Sequence, residues 1–464
     1  MYKTIIIKNS INTCMKELEK IDKKLMSDGN LFFIVKTEYK NGTVSKDFFD
    51  LISYSISLNF NYINTIVVPD NTSKLDNVLY CVWFSKSKKD YYFNKDPIRE
   101  KSIWKNVEWG KRKKNYNSKG KDPGNVWIPT LDNGKGVITK HIELSIKEIF
   151  DRLLASTLTD NDKYLIINDS KIKYNFKNFE GTIKIDEASY GDICFGKYEN
   201  KKKKNIETPT GTVVFNSSEN MDYIKEETVD LIVTSPPYWD LKDYYKKNQI
   251  GHESYEIYSD RMMTVWKECY QKLKKTGSLW ININIRVRNG NPILLPKLFI
   301  DQCKNIGFMY RGILIWHKSS GIPTHKKNLK DHHEYILIFT KTSSTKINAE
   351  LLSKYNDYKK AEIGGKLFWN INRRAGSIGK KTIHPAIFPV ELINRIVSIS
   401  TKENEVIVDP FLGSGTSMIA SINNGRRFIG YEFNEGFKDL MEDRFKKEIL
   451  NYNTNTNIKY FFKK

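Results

Sequence analysis

Ser235, Pro236, Pro237 and Tyr238 stand in a row after an apolar run, Val229-Asp230-Leu231-Ile232-Val233, with Thr234 before them and Trp239 after. Two successive prolines fix two φ angles and remove two backbone donors. The outcome is a rigid elbow at a strand end that offers a hydroxyl, outward carbonyls and an aromatic ring. That set suits a planar base with an exocyclic amine, since oxygens accept its N–H groups and a ring covers its face. The same letters occur in plain turns, so their meaning depends on a second site.

The second site lies further along. Val406-Ile407-Val408 reads as a buried strand, Asp409-Pro410-Phe411-Leu412-Gly413-Ser414-Gly415-Thr416-Ser417 follows it, and Met418 to Ile422 reads as a helix start. Glycines at such a turn let backbone approach a ligand at the carboxyl edge of a sheet. The next strand, Arg427 to Tyr431, ends at Glu432, an acid spaced to accept hydrogen bonds from ribose hydroxyls. Met418 stands where a dinucleotide fingerprint has its third glycine, and the Gly-Lys-Ser/Thr pair of a phosphate loop is absent. The expected ligand is a nucleoside without a pyrophosphate.

Together these strings resemble the amino-methylating DNA methyltransferases. In that family a Ser/Asp/Asn-Pro-Pro-Tyr/Phe elbow holds a flipped base, and an Asp-Pro-Phe-x-Gly-x-Gly-Thr loop holds S-adenosyl-L-methionine. The elbow precedes the loop, the permuted order of the beta class. Lys275 to Ile283, His333 to Phe339 and His384-Pro385-Ala386-Ile387-Phe388-Pro389 match further family segments, so the resemblance spans about residues 211–450. It implies an α/β fold, a Rossmann-like, mostly parallel, doubly wound sheet. It implies catalysis by Ser235, Pro236, Pro237 and Tyr238. It implies a cofactor site of Asp409, Phe411, Gly413, Gly415, Thr416 and Glu432, with His384, Pro385 and Phe388. Serine at the first elbow position goes mostly with cytosine in the family, which implies methylation of cytosine N4 in a specific sequence of double-stranded DNA. A restriction-modification system with a cognate endonuclease would be its setting. Adenine N6 methylation, a structured RNA substrate and a binding module with a vestigial fold stay open. Carbon-5 chemistry would need a thiolate nucleophile, usually in a Pro-Cys pair, and no cysteine here follows a proline.

The first half reads as a worn copy of the second. Gly29 to Val35 aligns with Gly277 to Ile283, Asn41-Gly42 with Asn289-Gly290, and Phe60-Asn61-Tyr62 with Phe308-Met309-Tyr310, always 248 positions apart. Tyr80 to Lys86 matches Tyr335 to Lys341, and His141, Glu148, Arg152 and Asn161 match His384, Glu391, Arg395 and Asn404. Near-constant offsets over a domain are the signature of an internal repeat. The copy lacks the chemistry: the chain begins too close to Gly29 for an elbow, and Asp169-Ser170-Lys171 follows Leu165 to Asn168 where a glycine loop would lie. The expected organisation is a degenerate methyltransferase-like domain (1–197), a basic linker (198–210) and a catalytic domain (211–464) with a recognition insert near 341–382. Such a chain is a monomer with an internal pseudo-dimer, or a homodimer.

The 464 residues carry a formal net charge of +22, which points to a polyanion partner. The expected DNA contacts are Lys111, Arg112, Lys113, Lys114 and Lys121 in the first half. In the second half they are Trp239, Lys366, Trp369, Arg373 and Arg374. No apolar run approaches membrane length, and five scattered cysteines without paired spacing read as reduced and buried, as in a cytoplasmic protein. His332-His333 beside Asp331 falls at a strand start, and no metal site is assigned.

Overall fold

The structure is a computed structural model that describes residues 1–70, 78–100, 119–120, 122–128, 130–132, 138–141, 144–169, 211–241, 247–288, 290–322, 327–345, 347–348, 352, 355, 367–371, 389–449 and 458–462. Apolar runs set the strands. Ile5, Ile6 and Ile7 are fully buried, as are Leu231, Ile232, Ile407 and Val408. Segments apolar on both faces are what a sheet covered on both sides requires.

The first half runs β1 (Tyr2–Lys8), α1 (Ile11–Asp22), β2 (Leu25–Val35), β3 (Glu38–Lys40), β4 (Thr43–Lys46), α2 (Phe48–Ser57), β5 (Asn61–Pro69), β6 (Val78–Ser85), β7 (Thr130–Asp132), β8 (Ile138–His141), α3 (Ile146–Thr157) and β9 (Tyr164–Asn168). The second runs β10 (Gly211–Phe215), β11 (Val229–Thr234), α4 (Tyr255–Lys272), β12 (Leu273–Ile283), β13 (Arg286–Arg288), β14 (Asn291–Ile293), α5 (Leu295–Ile306), β15 (Met309–Ile322), β16 (Asp331–Thr340), β17 (Phe368–Asn370), α6 (Val390–Ser400), β18 (Val406–Asp409), α7 (Thr416–Asn423), β19 (Arg427–Glu432), α8 (Lys438–Glu448) and β20 (Ile458–Phe462).

The nine-stranded sheet has the order β17-β15-β16-β12-β11-β18-β19-β10-β20. All its pairings are parallel except those of β16 with β12 and β15. With helices between its strands, this is the mostly parallel, Rossmann-like α/β sheet expected from the sequence. β11 and β18 are neighbours, so the elbow and the glycine loop leave the same edge side by side.

The five-stranded sheet has the order β5-β6-β2-β1-β9. It repeats β15-β16-β12-β11-β18 strand for strand, with the same pairing senses. Even the irregularities coincide. The register shifts between Tyr2 and Thr4 in β1 and between Val229 and Leu231 in β11. It shifts between Tyr62 and Asn64 in β5 and between Tyr310 and Gly312 in β15. Val67 bridges Val126 as Ile315 pairs with Phe368. The Arg152 guanidinium lies 5.4 Å from the Trp127 ring centre, and that of Arg395 lies 5.6 Å from Trp369. One expectation is corrected: β1 takes the position of the elbow strand β11, so the strand is present and only the Pro-Pro turn is missing after Lys8.

The halves share one apolar core. Phe48 and Phe49 of α2 pack on Tyr335 of β16, with ring centres 5.5 and 5.1 Å apart. Asn125, buried, donates through Nδ2 to Asn64 Oδ1 at 2.9 Å and accepts through Oδ1 from the His332 backbone N–H at 2.8 Å. The Asn125 N–H also donates to the Lys330 carbonyl at 2.9 Å. Asn125→Ala strands the His332 amide inside the protein and removes one of the two donors on the Asn64 oxygen, which keeps the Thr65 N–H. It should cost about 2 kcal/mol, since each buried unpaired group costs about 1–3 kcal/mol. Chemical denaturation checks this: a midpoint equal to wild type would show that the seam is not held there.

Candidate active site

The elbow is over-determined by its neighbours. Tyr258 of α4 donates its hydroxyl to the Pro237 carbonyl at 2.6 Å, and Arg286 Nη1 donates to the Tyr238 carbonyl at 3.0 Å. Two of the carbonyls expected to face outward are therefore occupied by the protein itself. Trp239 has φ +51°, and its indole N–H donates to the Glu253 carbonyl at 2.9 Å. A Cβ on Gly251 would sit 2.7 Å from the Trp239 carbonyl oxygen, so the chain can pass only as glycine.

Glu334 of β16 is the pivot of the hydrogen bonds behind the elbow. Its Oε2 accepts from the Tyr238 hydroxyl at 3.1 Å and from Asn282 Nδ2 at 2.7 Å, and its Oε1 accepts from Lys318 Nζ at 2.8 Å. Burial alone would raise its carboxyl, but the Lys318 ammonium and these donors hold it below the usual carboxylate range. Asn282 Nδ2 also lies 3.4 Å from Ser235 Oγ. Sequence reading missed Glu334, Asn282 and Lys318. The available signal was polar residues inside apolar strand runs, such as Asn282 between Ile281 and Ile283.

The elbow is tied to the glycine loop through Asp409. Its Oδ1 accepts from Thr234 Oγ1 at 2.7 Å and from the Phe411 N–H at 2.9 Å, and its Oδ2 accepts from the Ser417 hydroxyl. Burial lifts its carboxyl to about 6. The loop turns through Gly413 at φ +54° and Gly415 at φ +84°, a conformation that costs an L side chain about 1–2 kcal/mol. Gly415 then caps α7 without a side-chain hydrogen bond. Arg444 of α8, which sequence reading missed, clamps the loop. It donates to Ser414 O, Ser414 Oγ and Thr416 Oγ1 at 2.9, 2.7 and 2.9 Å. The Thr416 hydroxyl is thereby engaged with Arg444.

Glu432 ends β19 against this loop, accepting from the Gly413 N–H at 2.8 Å and the Asn434 N–H at 2.8 Å. Burial pushes its carboxyl up to about 7. Glycine backbone free of side chains beside a carboxylate with spare lone pairs fits a nucleoside whose ribose donates hydroxyls. Donors favour the ionised carboxylate, so affinity for such a ligand should be full above pH 7 and fall as pH drops through 7. The loss should be about tenfold between pH 8 and pH 6. Calorimetry across that range should show the slope, and Glu432→Gln should flatten it; a slope unchanged in that variant would remove Glu432 from the site.

Other predicted residues fall elsewhere. Trp369 is corrected: it is fully buried beneath Arg395 and Tyr355 and cannot present its ring to a polymer. Trp239 stays at the elbow, with the Arg288 guanidinium 4.7 Å from its ring centre. His384, Pro385, Phe388, Lys111, Arg112, Lys113, Lys114, Lys121, Lys366, Arg373 and Arg374 lie outside the described residues. Cys14, Cys81, Cys269 and Cys303 are buried free thiols. No helix among the described residues is long and apolar enough to cross a membrane.

Comparison with known proteins adds a second line. Residues 229–443 match a family model described as DNA methylase, the N6/N4 methyltransferase family. The type II methyltransferase M.Cfr9I of Citrobacter freundii is 28% identical over 261 residues, covering 48% of this chain and 83% of the relative. M.MjaI of Methanocaldococcus jannaschii is 28% identical, covering 51% and 91%. Among solved structures, the cytosine-N4-specific PvuII DNA methyltransferase is 21% identical with a TM-score of 0.43, covering 55% of this chain and 92% of that one. A Thermus thermophilus protein solved with S-adenosyl-L-methionine is 26% identical with a TM-score of 0.40, covering 55% and 99%.

Proposed function

We propose that this chain, a DNA methyltransferase of the N4-cytosine/N6-adenine family through residues 229–443, methylates the 4-amino group of cytosine within a defined sequence of double-stranded DNA. The observation that carries this reading is the Thr234–Asp409 hydrogen bond of 2.7 Å, which locks a serine elbow beside a glycine loop. Bound S-adenosyl-L-methionine supplies an electrophilic methyl on a sulfonium.

The chain's own residues do the rest. Gly413, Gly415 and Glu432 hold the nucleoside end of the cofactor, and Phe411 and Asp409 shape the loop. The exocyclic amine donates to Ser235 Oγ and the Pro236 carbonyl, which favours a tetrahedral nitrogen with a free lone pair. Tyr238 stacks on the flipped base while its hydroxyl stays on Glu334. Flipping costs a few kcal/mol, and alignment in the closed pocket supplies most of the acceleration. The amine nitrogen would become positively charged as it gains the methyl, which makes its proton acidic enough to leave to solvent, so no strong general base is required.

The first half, on this reading, is a degenerate copy of the permuted beta-class fold that mimics a dimer within one chain. Lys8 lies where Ser235 lies in the second sheet, and no glycine pair follows β9, so cofactor should bind once per chain. The two basic segments beyond the described residues serve DNA recognition, in a restriction-modification setting. A 205–464 fragment should be poorly soluble or inactive, because losing the first half exposes the shared core. The test is tritium transfer from labelled cofactor to plasmid DNA by the full chain and the fragment, with RNA as control. Label in DNA from the full chain alone is expected. Equal labelling by the fragment would make the first half dispensable, and label in RNA alone would overturn the substrate class.

A further inference from the structure

Asn282 lies near the carboxyl end of β12, buried, directly behind the elbow serine. Its amide is asymmetric in its partners. Nδ2 donates to Glu334 Oε2 at 2.7 Å and approaches Ser235 Oγ at 3.4 Å, whereas Oδ1 is buried and has no hydrogen-bond partner among the described residues. That orientation is forced. An ionised carboxylate only accepts, and Lys318, itself buried, donates to Glu334 at 2.8 Å and keeps it ionised. The amide must therefore turn Nδ2 to Glu334 and leave Oδ1 facing elsewhere. A buried acceptor left empty is rare and calls for an explanation.

We infer that Asn282 Oδ1 is a further acceptor for the exocyclic amine of the target base, with Glu334 and Lys318 as positioning residues that fix its orientation. This rests on the amine-methylating function proposed above. The Pro236 carbonyl and Asn282 Oδ1 then form an acceptor-only pair beside the Ser235 hydroxyl, which can accept or donate. The two N–H groups of an exocyclic amine satisfy it, one of them shared between Ser235 Oγ and Asn282 Oδ1. A base with a carbonyl at that position sets oxygen against oxygen and leaves buried acceptors unpaired, a large discrimination. The site would thus select amino bases over keto bases by the direction of its hydrogen bonds, independently of pocket size.

The test is a charge-conserving swap. Asn282→Ala and Glu334→Gln are made singly, and Asn282→Asp is combined with Glu334→Gln. The double variant keeps one carboxylate near Lys318. Its new glutamine amide donates to the carboxylate that Asn282→Asp introduces, and the second oxygen of that carboxylate replaces the Asn282 Oδ1 acceptor. Each single variant should lower kcat for DNA methylation about thirtyfold or more, with cofactor affinity little changed, and Glu334→Gln should also lower the melting temperature because it leaves the buried Lys318 ammonium without its carboxylate. The double variant should recover at least about tenfold of that loss, and its kcat should fall in acid as the acceptor protonates, a limb absent from wild type. Asn282→Ala within about threefold of wild type would overturn the inference. So would a stably folded double variant no faster than Glu334→Gln. Wild-type activity in the same assay tests the function itself, so failure of the two claims can be told apart.

Discussion

Tyr238→Ala is expected to lower methyl transfer roughly a hundredfold or more while leaving cofactor affinity within about twofold. The ring ends the elbow, and its hydroxyl reaches Glu334 at 3.1 Å, whereas the glycine loop is joined to the elbow by the Thr234–Asp409 hydrogen bond. Truncation removes the stacking face and one of the donors on Glu334. Lys318 and Asn282 still hold the carboxylate, so the fold should survive. Ser235→Ala should behave in the same way through loss of the amine acceptor. Single-turnover rates beside calorimetric cofactor binding separate the two sites. Wild-type turnover by Tyr238→Ala would put the base somewhere else.

Gly413→Val should abolish measurable cofactor binding, raising Kd by about a hundredfold or more. Two effects act together. The native φ of +54° is a genuine outlier for a β-branched residue, and the new side chain stands where the loop must approach its ligand. Twisting this residue would also misdirect the N–H that donates to Glu432 at 2.8 Å. The substitution lies in a loop and not in the sheet, so the damage should stay local. Unchanged calorimetric affinity would show that the ligand does not lie on this turn.

The most legible parts of the sequence were those where local chemistry and position coincide. A Pro-Pro pair after a buried strand can only be a rigid exit, and paired glycines before an apolar helix can only be a close turn, so β11, β18 and α7 fall where the motifs put them. The constant offsets between halves survive as matching register shifts, because a bulge follows from where side chains must face.

What stayed hidden depends on contacts distant in the chain. Glu334 sits in an apolar strand and becomes meaningful only when Tyr238, Asn282 and Lys318 converge on it. Arg444 reads as one more charge on a helix until it reaches Ser414 and Thr416. Trp369 was misread because an aromatic in a basic stretch looks the same whether it caps a core or meets a base. β1 was missed as the elbow strand because its end carries Lys8-Asn9-Ser10, and nothing in those letters marks the place of Ser235.

The most direct measurement is nucleoside mass spectrometry of unmethylated plasmid DNA after incubation with the purified chain and S-adenosyl-L-methionine. N4-methylcytosine is predicted, and its absence from the Ser235→Ala reaction. N6-methyladenine in its place, or product undiminished in Ser235→Ala, would contradict the account.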